Sequence, residues 1–379
     1  MMRKNFVNLI TWSNDQYSDL PWRSHRTLYR TLVSEIMLQQ TTVGTVVNHF
    51  ENFLRTYPTL FDLAQATEEE VCISWKGLGY YRRARSLRCL AILIVEQYRG
   101  QIPTEIDVLL KLKGIGPYTA NAIVAIGADL RGLAVDANLE RVLARYYGIE
   151  LPKGLKLQQK IFKDFAEKKL LKEVSSLSPR KLNEALMDLG RVLCQSKKVS
   201  CQLCPLKTNC VASNRGDPLS FPLELNKIKL DNLHIKLLRV VVREDKKILF
   251  YQKSEKEWLA GQWELPTFII ETNDEKLKQY PIIKNKKVFK SAPSFKTSIT
   301  KYKIENYIVQ MSPKKFEKMV DGLGIKYLFK AVNLRLNAST SSLKTLKYAS
   351  KSLSSFFEEE KTERRDKPDP VFNHHSSRP

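Results

Sequence analysis

Apolar residues recur at helical spacing through the first half of the chain. Leu28, Leu32 and Ile36 fall at i, i+4 and i+8, and after Thr41-Thr42 a second stripe runs Val43, Val46, Val47, Phe50 and Leu54. The segment Arg82 to Tyr98 repeats the pattern with Leu87, Leu90, Ile94 and Tyr98. Gly and Pro punctuation at Pro58, Gly77-Leu78-Gly79, Gly100 to Pro103 and Gly114 to Pro117 divides these stripes into short helices. Residues 1–212 therefore read as an all-α domain. Residues 213–232 carry two prolines and no clear period, and read as a linker. From 233 the pattern turns to alternation (HIKLLRVVVRED, KKILFYQK, KYKIENYIVQM), which predicts a second, α+β domain over 233–350. The charged, Pro-containing segment 351–379 is expected to be a disordered tail.

Composition narrows the class. The 379 residues suffice for two or three domains, and 43% hydrophobic with 27% charged residues is a globular balance. A net charge of +23 favours a polyanionic partner, although charge alone does so only modestly. No stretch approaches the roughly 20 apolar residues of a membrane span, and the N-terminus has no secretory pattern. A cytoplasmic protein, nucleoid-associated if bacterial, without a membrane partner, is expected.

Four of the six cysteines form Cys194-x6-Cys201-x2-Cys204-x5-Cys210, an array able to surround one metal centre. Spacing alone leaves structural zinc and an iron–sulfur cluster level. A second motif, Leu112-Lys113-Gly114-Ile115-Gly116-Pro117-Tyr118-Thr119-Ala120, has the pattern of a helix-hairpin-helix over about 105–128, which holds DNA phosphate without reading sequence. Gly114 and Gly116 make its tight turn, and Pro117 opens a helix whose free N–H groups face an anion. Alone, the motif equally suits a plain inter-helix turn. About 18 residues on, Val135-Asp136-Ala137-Asn138 precedes LERVLARYYG, where Asp136 or Asn138 is foremost an N-cap. Glu35, amid apolar helical residues, is either a solvated side chain or a buried carboxyl with a raised pKa, as a general acid requires.

Together with Leu20-Pro21-Trp22-Arg23, Ser34 to Thr41 (SEIMLQQT), Trp75 to Tyr81 (WKGLGYY) and the cysteine array, these elements resemble the adenine DNA glycosylase (MutY) family of the endonuclease III, or helix-hairpin-helix, superfamily. The resemblance spans nearly all of residues 1–212 and implies a [4Fe–4S] cluster on Cys194, Cys201, Cys204 and Cys210. It implies Glu35 as the acid that protonates adenine, Asp136 as the carboxylate answering the sugar cation, and Tyr118 and Asn138 as their supports. Arg23 and Glu184 would line the pocket of the extruded base. Gln40 and Tyr80 would fill the stack, and Gly114 and Gly116 would hold DNA phosphate. Tyr118 stands where strand-nicking relatives carry a lysine, so base removal without strand cleavage follows.

The second domain resembles, more loosely, the family's Nudix-like domain through Trp258 to Pro266 (WLAGQWELP), without the clustered glutamates of Nudix hydrolases. Its implied task is to recognise 8-oxoguanine through Thr300 and Lys301, with Lys301 in place of the family's histidine. Ala137 likewise departs from the usual glycine. The implied partner is double-stranded DNA carrying A:8-oxoG or A:G mispairs, met by a monomer. The alternatives are a bifunctional endonuclease III-like glycosylase/lyase, a glycosylase for T opposite G, and a DNA-binding relative that has lost catalysis.

Overall fold

The computed structural model describes residues 2–166, 176–224, 233–283, 292–299, 301–321, 323–333 and 336–349. Thr300, residues 225–232 of the expected linker and the tail 351–379 lie outside them. The chain divides into two compact units, Met1–Ile228 and Lys229–Pro379. Among the described residues no helix is long and apolar enough to cross a membrane.

The first unit is helical and has two cores. One is built by α2 (Leu28–Leu38), α3 (Val43–Thr56), α4 (Leu60–Gln65), α5 (Glu68–Ser74) and α6 (Arg82–Tyr98). Leu32, Phe50, Phe53, Trp75 and Leu87 meet at its centre, which is where the stripes in the sequence point. Local chemistry starts four of these helices: Thr27 and Thr42 cap α2 and α3, and Thr59 and Thr67 form capping boxes with Asp62 and Glu70 at the starts of α4 and α5.

The second core joins α1 (Met2–Tyr17), α9 (Ala137–Tyr147), α10 (Leu155–Ala166) and α11 (Pro179–Val192), with Phe6, Leu139, Leu143 and Leu186 buried among them. Between the two cores run α7 (Ile106–Leu109) and α8 (Pro117–Ala122), joined by the glycine turn, and a π-turn at Ile123–Gly127. The helical unit also extends past residue 212. After α12 (Val211–Asn214), Phe221 is buried and its carbonyl accepts from Arg145 Nε at 2.9 Å, while the Leu223 amide bonds to Leu151 O at 3.1 Å. Residues 213–224 therefore pack on the helices, whatever their linker-like composition.

Among the described residues, the second unit is a seven-stranded mixed sheet with two helices. Its long strand β1 (Leu233–Glu244) pairs antiparallel with β2 (Lys247–Gln252) and β4 (Thr267–Thr272), and parallel with β6 (Tyr302–Met311). β3 (Trp263–Glu264) and β7 (Leu328–Ala331) flank β2, and β5 (Ser294–Ile299) forms a hairpin with β6. Leu237–Val242 of β1 is buried throughout, not alternately. The reason is that both faces are covered: Leu238, Val240 and Val242 meet Phe316 of α13 (Pro313–Val320), and Val241 meets Leu346 of α14 (Thr340–Ala349).

Candidate active site

Glu35 lies one turn from the end of α2 and only 4% of it is exposed. A carboxyl this deep is costly unless it is protonated or well bonded. The Tyr118 hydroxyl donates to its Oε2. Burial pushes the Glu35 pKa up to about 7; the Tyr118 bond pulls it back, and the nearby Asp136 and Glu184 charges raise it further. Tyr118 reaches this point because Gly114 holds a left-handed conformation (φ +98°) that turns the chain sharply into α8.

Asp136 is treated differently. It is the N-cap of α9, where Oδ1 accepts from the amides of Asn138 (2.9 Å) and Leu139 (2.7 Å) and Oδ2 accepts from Asn138 Nδ2 (2.8 Å). Burial raises its pKa above the ordinary aspartate value, but these donors and the Arg141 charge all pull toward the anion. The side chain that caps α9 also lines the cavity described next. Asn138 is in turn held from behind: its Oδ1 accepts from Arg141 Nη2 (2.8 Å), and Arg141 Nε donates to Cys194 O (2.7 Å). Gly190 lets α11 come this close, since a Cβ there would sit 2.6 Å from Asn138 Cβ.

Glu35, Tyr118, Asp136 and Asn138 face one cavity of about 980 Å³ between the two helical cores, at the upper end of the roughly 300–1,000 Å³ usual for small-molecule sites. Arg23, Glu184, Gln40, Gly114 and Gly116 line it as well, and so does Ala137. Arg23 pairs with Asp188 (2.8 Å) and lies 3.6 Å from Glu184. Two residues were not anticipated from the sequence. Arg26 grips both carboxylate oxygens of Glu184, Nη2 at 2.9 Å from Oε2; nothing in the local pattern marks it. Asp188, bonded by Ser13 (2.6 Å), stands one helical turn from Glu184 on the same face of α11, a spacing that could have found it.

The remaining expected residues fall elsewhere. Tyr80 is 57% exposed and does not line the cavity. Gln40, like Tyr80, adopts a left-handed backbone conformation (φ +55° and +46°). The four cysteines line a second, small cavity with Arg145 and Lys207. Arg145 Nη1 lies 3.2 Å from Cys194 Sγ, the Leu206 amide lies against Cys204, and the Ala212 and Ser213 amides lie against Cys210. Positive and N–H groups thus surround the sulfurs, and the donor set suits thiolates carrying shared negative charge. Among the described residues no three His, Cys, Asp or Glu side chains are placed to share one ion, so the sulfurs ring their cavity without converging on a point. In the sheet unit, Lys301 sits at the β5–β6 turn with Nζ 5.3 Å from the Tyr302 ring.

Residues 33–168 match the HhH-GPD superfamily of base excision DNA repair proteins. The chain is 33% identical over 274 residues to the adenine DNA glycosylase of Buchnera aphidicola subsp. Schizaphis graminum, covering 71% of this chain and 75% of that one. It is 38% identical over 210 residues to the same enzyme of the Acyrthosiphon pisum strain, covering 54% of this chain and 58% of its relative. A solved thermostable thymine-DNA glycosylase is also similar, with 28% identity and a TM-score of 0.49 over 56% of this chain and 97% of that one.

Proposed function

Because the chain belongs to the adenine DNA glycosylase family, we propose that it hydrolyses the N-glycosidic bond of adenine mispaired with 8-oxoguanine or guanine, with Glu35 as general acid and Asp136 as the answering charge. The observation that carries this is the pairing of two buried carboxyls of unlike environment on one cavity. Glu35, with a pKa near neutrality, holds a proton at working pH. It gives that proton to N7 of the extruded purine, so that the C1′–N9 electron pair leaves with a neutral base. The sugar is left as an oxocarbenium-like cation, which the Asp136 carboxylate stabilises until water adds at C1′ and loses a proton. Asn138 fixes Asp136 in place, and Tyr118 keeps Glu35 aimed into the cavity. Two acids are thus driven to two tasks by their surroundings.

Tyr118 has no amine to form a Schiff base, so the product is an abasic site in an intact strand. Arg23 and Glu184 receive the extruded base, with Glu184 oriented by Arg26. The Gly114–Gly116 turn offers backbone amides to DNA phosphate. Cys194, Cys201, Cys204 and Cys210 are the residues that would hold a [4Fe–4S] cluster, which, when bound, ties their loop together and adds no step to the reaction. The sheet unit acts as the Nudix-like reader of the opposite 8-oxoguanine through Thr300 and Lys301, and the enzyme works as a monomer on duplex DNA.

One assay tests this reading. Purified protein is given duplexes containing A:8-oxoG, A:G, T:G or thymine glycol, with and without alkali. Adenine release with nicking only after alkali is expected. Nicking without alkali would mark a lyase, release from T:G alone would move the specificity to another base, and no release from any duplex would leave only a binder.

A further inference from the structure

Arg83 occupies the first turn of α6, where a cation meets the unfavourable end of its own helix dipole. It is not there to stabilise α6. Its guanidinium reaches across to the C-terminal end of α2, the helix that carries Glu35, and Nη1 donates to the carbonyls of Ile36 (2.9 Å) and Met37 (2.8 Å). Nη2 spans the two segments that follow: it donates to Thr41 Oγ1 (2.9 Å) on one side, and to Leu78 O (3.0 Å) and Gly79 O (3.2 Å) on the other. Thr41 Oγ1 also bonds to Leu78 O at 3.3 Å, so the two segments are joined directly as well. The cation also lies over the rings of Trp75 and Tyr80, 5.5 and 5.6 Å from their centroids.

The residues immediately bounded by these contacts are Gln40 and Tyr80, both in the left-handed conformation that non-glycine residues enter at a cost of about 1–3 kcal/mol each. Such a conformation persists only where the surroundings over-determine it; Trp75 Nε1 holds Gly79 O (3.1 Å) from one side, and Arg83 is bonded to both segments at once. We propose that Arg83 is a positioning residue for base extrusion: by bridging the end of α2 to the Leu78-Gly79 loop, it keeps Gln40 and Tyr80 in register with each other and with Glu35. This rests on the reading of Gln40 and Tyr80 as the side chains that occupy the opened base stack. Arg83 touches no reacting atom in this account; it sets the geometry in which the purine is taken out of the duplex.

The test separates extrusion from chemistry. In a Glu35→Gln background, which cannot release base, 2-aminopurine replaces the target adenine and its fluorescence rises when it leaves the stack. Arg83→Ala is expected to reduce that rise about tenfold or more, since its bonds to the end of α2 and to the Leu78-Gly79 loop are lost together. Duplex affinity and the far-ultraviolet circular dichroism should change little. Arg88→Ala is the control: Arg88 sits on the same helix and also bonds to a distant carbonyl, that of Ala66, and the fluorescence rise should survive its loss. Arg83→Lys keeps the cation but presents one donor atom and cannot span both segments, so it should restore only part of the signal. If Arg83→Ala does not fold, the lysine variant decides, and a full rise from either folded variant overturns the proposal. Tyr80→Ala separates the two levels. Loss of signal there with full signal in Arg83→Ala defeats the positioning role alone, whereas full signal in both also defeats the stack-filling reading.

Discussion

Glu35 in the helical unit and Glu264 in the sheet unit are the same residue, buried to nearly the same depth at 4% and 1% exposure. Their surroundings differ in one respect. Glu264 sits between two cations: Arg239, itself bonded to Asn306, grips Oε1, and Lys253 Nζ lies 3.0 Å from Oε2. Burial alone would raise its pKa, but Arg239 and Lys253 outweigh it and the pKa is lowered. Glu35 has a phenol for its partner and a cavity in front of it, and burial prevails. A buried acid matched by buried cations is committed to holding the fold. One left without them is kept protonated near neutral pH, with a proton to give.

The same substitution at the two sites breaks or sharpens this contrast. Glu35→Gln should still bind the mispaired duplex while losing about 10²–10⁴ in the single-turnover rate, the usual worth of a general acid. Near-normal turnover would remove Glu35 from its role. Glu264→Gln should leave the chemistry alone but lower stability by about 3–5 kcal/mol, because Arg239 and Lys253 remain buried with their counter-charge gone. A denaturant midpoint equal to the wild type's would mean that the ion cluster is not holding the sheet.

Stability against pH gives the next contrast, and its sign is opposite at the two sites. The folded-state pKa of Glu35 lies above its unfolded value, so the folded state binds the extra proton. Its contribution is most favourable below about 4.5 and is lost as pH climbs through about 7, a difference of about 3 kcal/mol. Glu35→Gln should therefore make the protein more stable than wild type at pH 8 and not at pH 4. Glu264, with its lowered pKa, contributes at neutral pH and loses that contribution only as pH falls through the folded value. Thermal melts of both variants from about pH 2 to pH 8 should show the Glu35→Gln difference from wild type changing between about 4.5 and 7, and the Glu264→Gln difference changing only below about 4.5; two differences that change in the same window would defeat the comparison.

How much of this was visible in the chain depends on the reach of each interaction. Helical stripes and threonine caps are local, so the first core and the helix starts follow from spacing. Asp136 was visible as a cap and Glu35 as an oddly placed acid, but whether either faced a cavity depends on how two separate cores meet. Arg83 and Arg26 left no local trace, since the α2 carbonyl that Arg83 holds lies 46 residues away and the partner of Arg26 158, and long side chains reach across without any period. The WELP segment stood out as a family likeness, whereas Glu264 as the centre of an ion cluster required β1, β2 and β3 to be side by side. Alternation marks β1 in the sequence, yet Leu237–Val242 is buried without a break, because helices cover both faces of the sheet, which no local pattern reports.

The smallest effect is the most diagnostic of what tunes Glu35. The Tyr118 hydroxyl donates to the carboxylate, which favours the anion and holds the pKa lower than burial alone would set it. Tyr118→Phe keeps the ring and its packing but deletes that donor, so the Glu35 pKa should rise. The acid then stays protonated to higher pH, and the alkaline limb of the single-turnover profile should move upward by less than about one pH unit, the equivalent of one hydrogen bond of about 1 kcal/mol. The plateau rate at lower pH should change by only a few-fold, because the proton is still delivered from the same place. A limb that moves downward would mean that the phenol supports the protonated acid instead, and a collapse of the plateau would give Tyr118 a part in the bond-breaking step beyond holding Glu35.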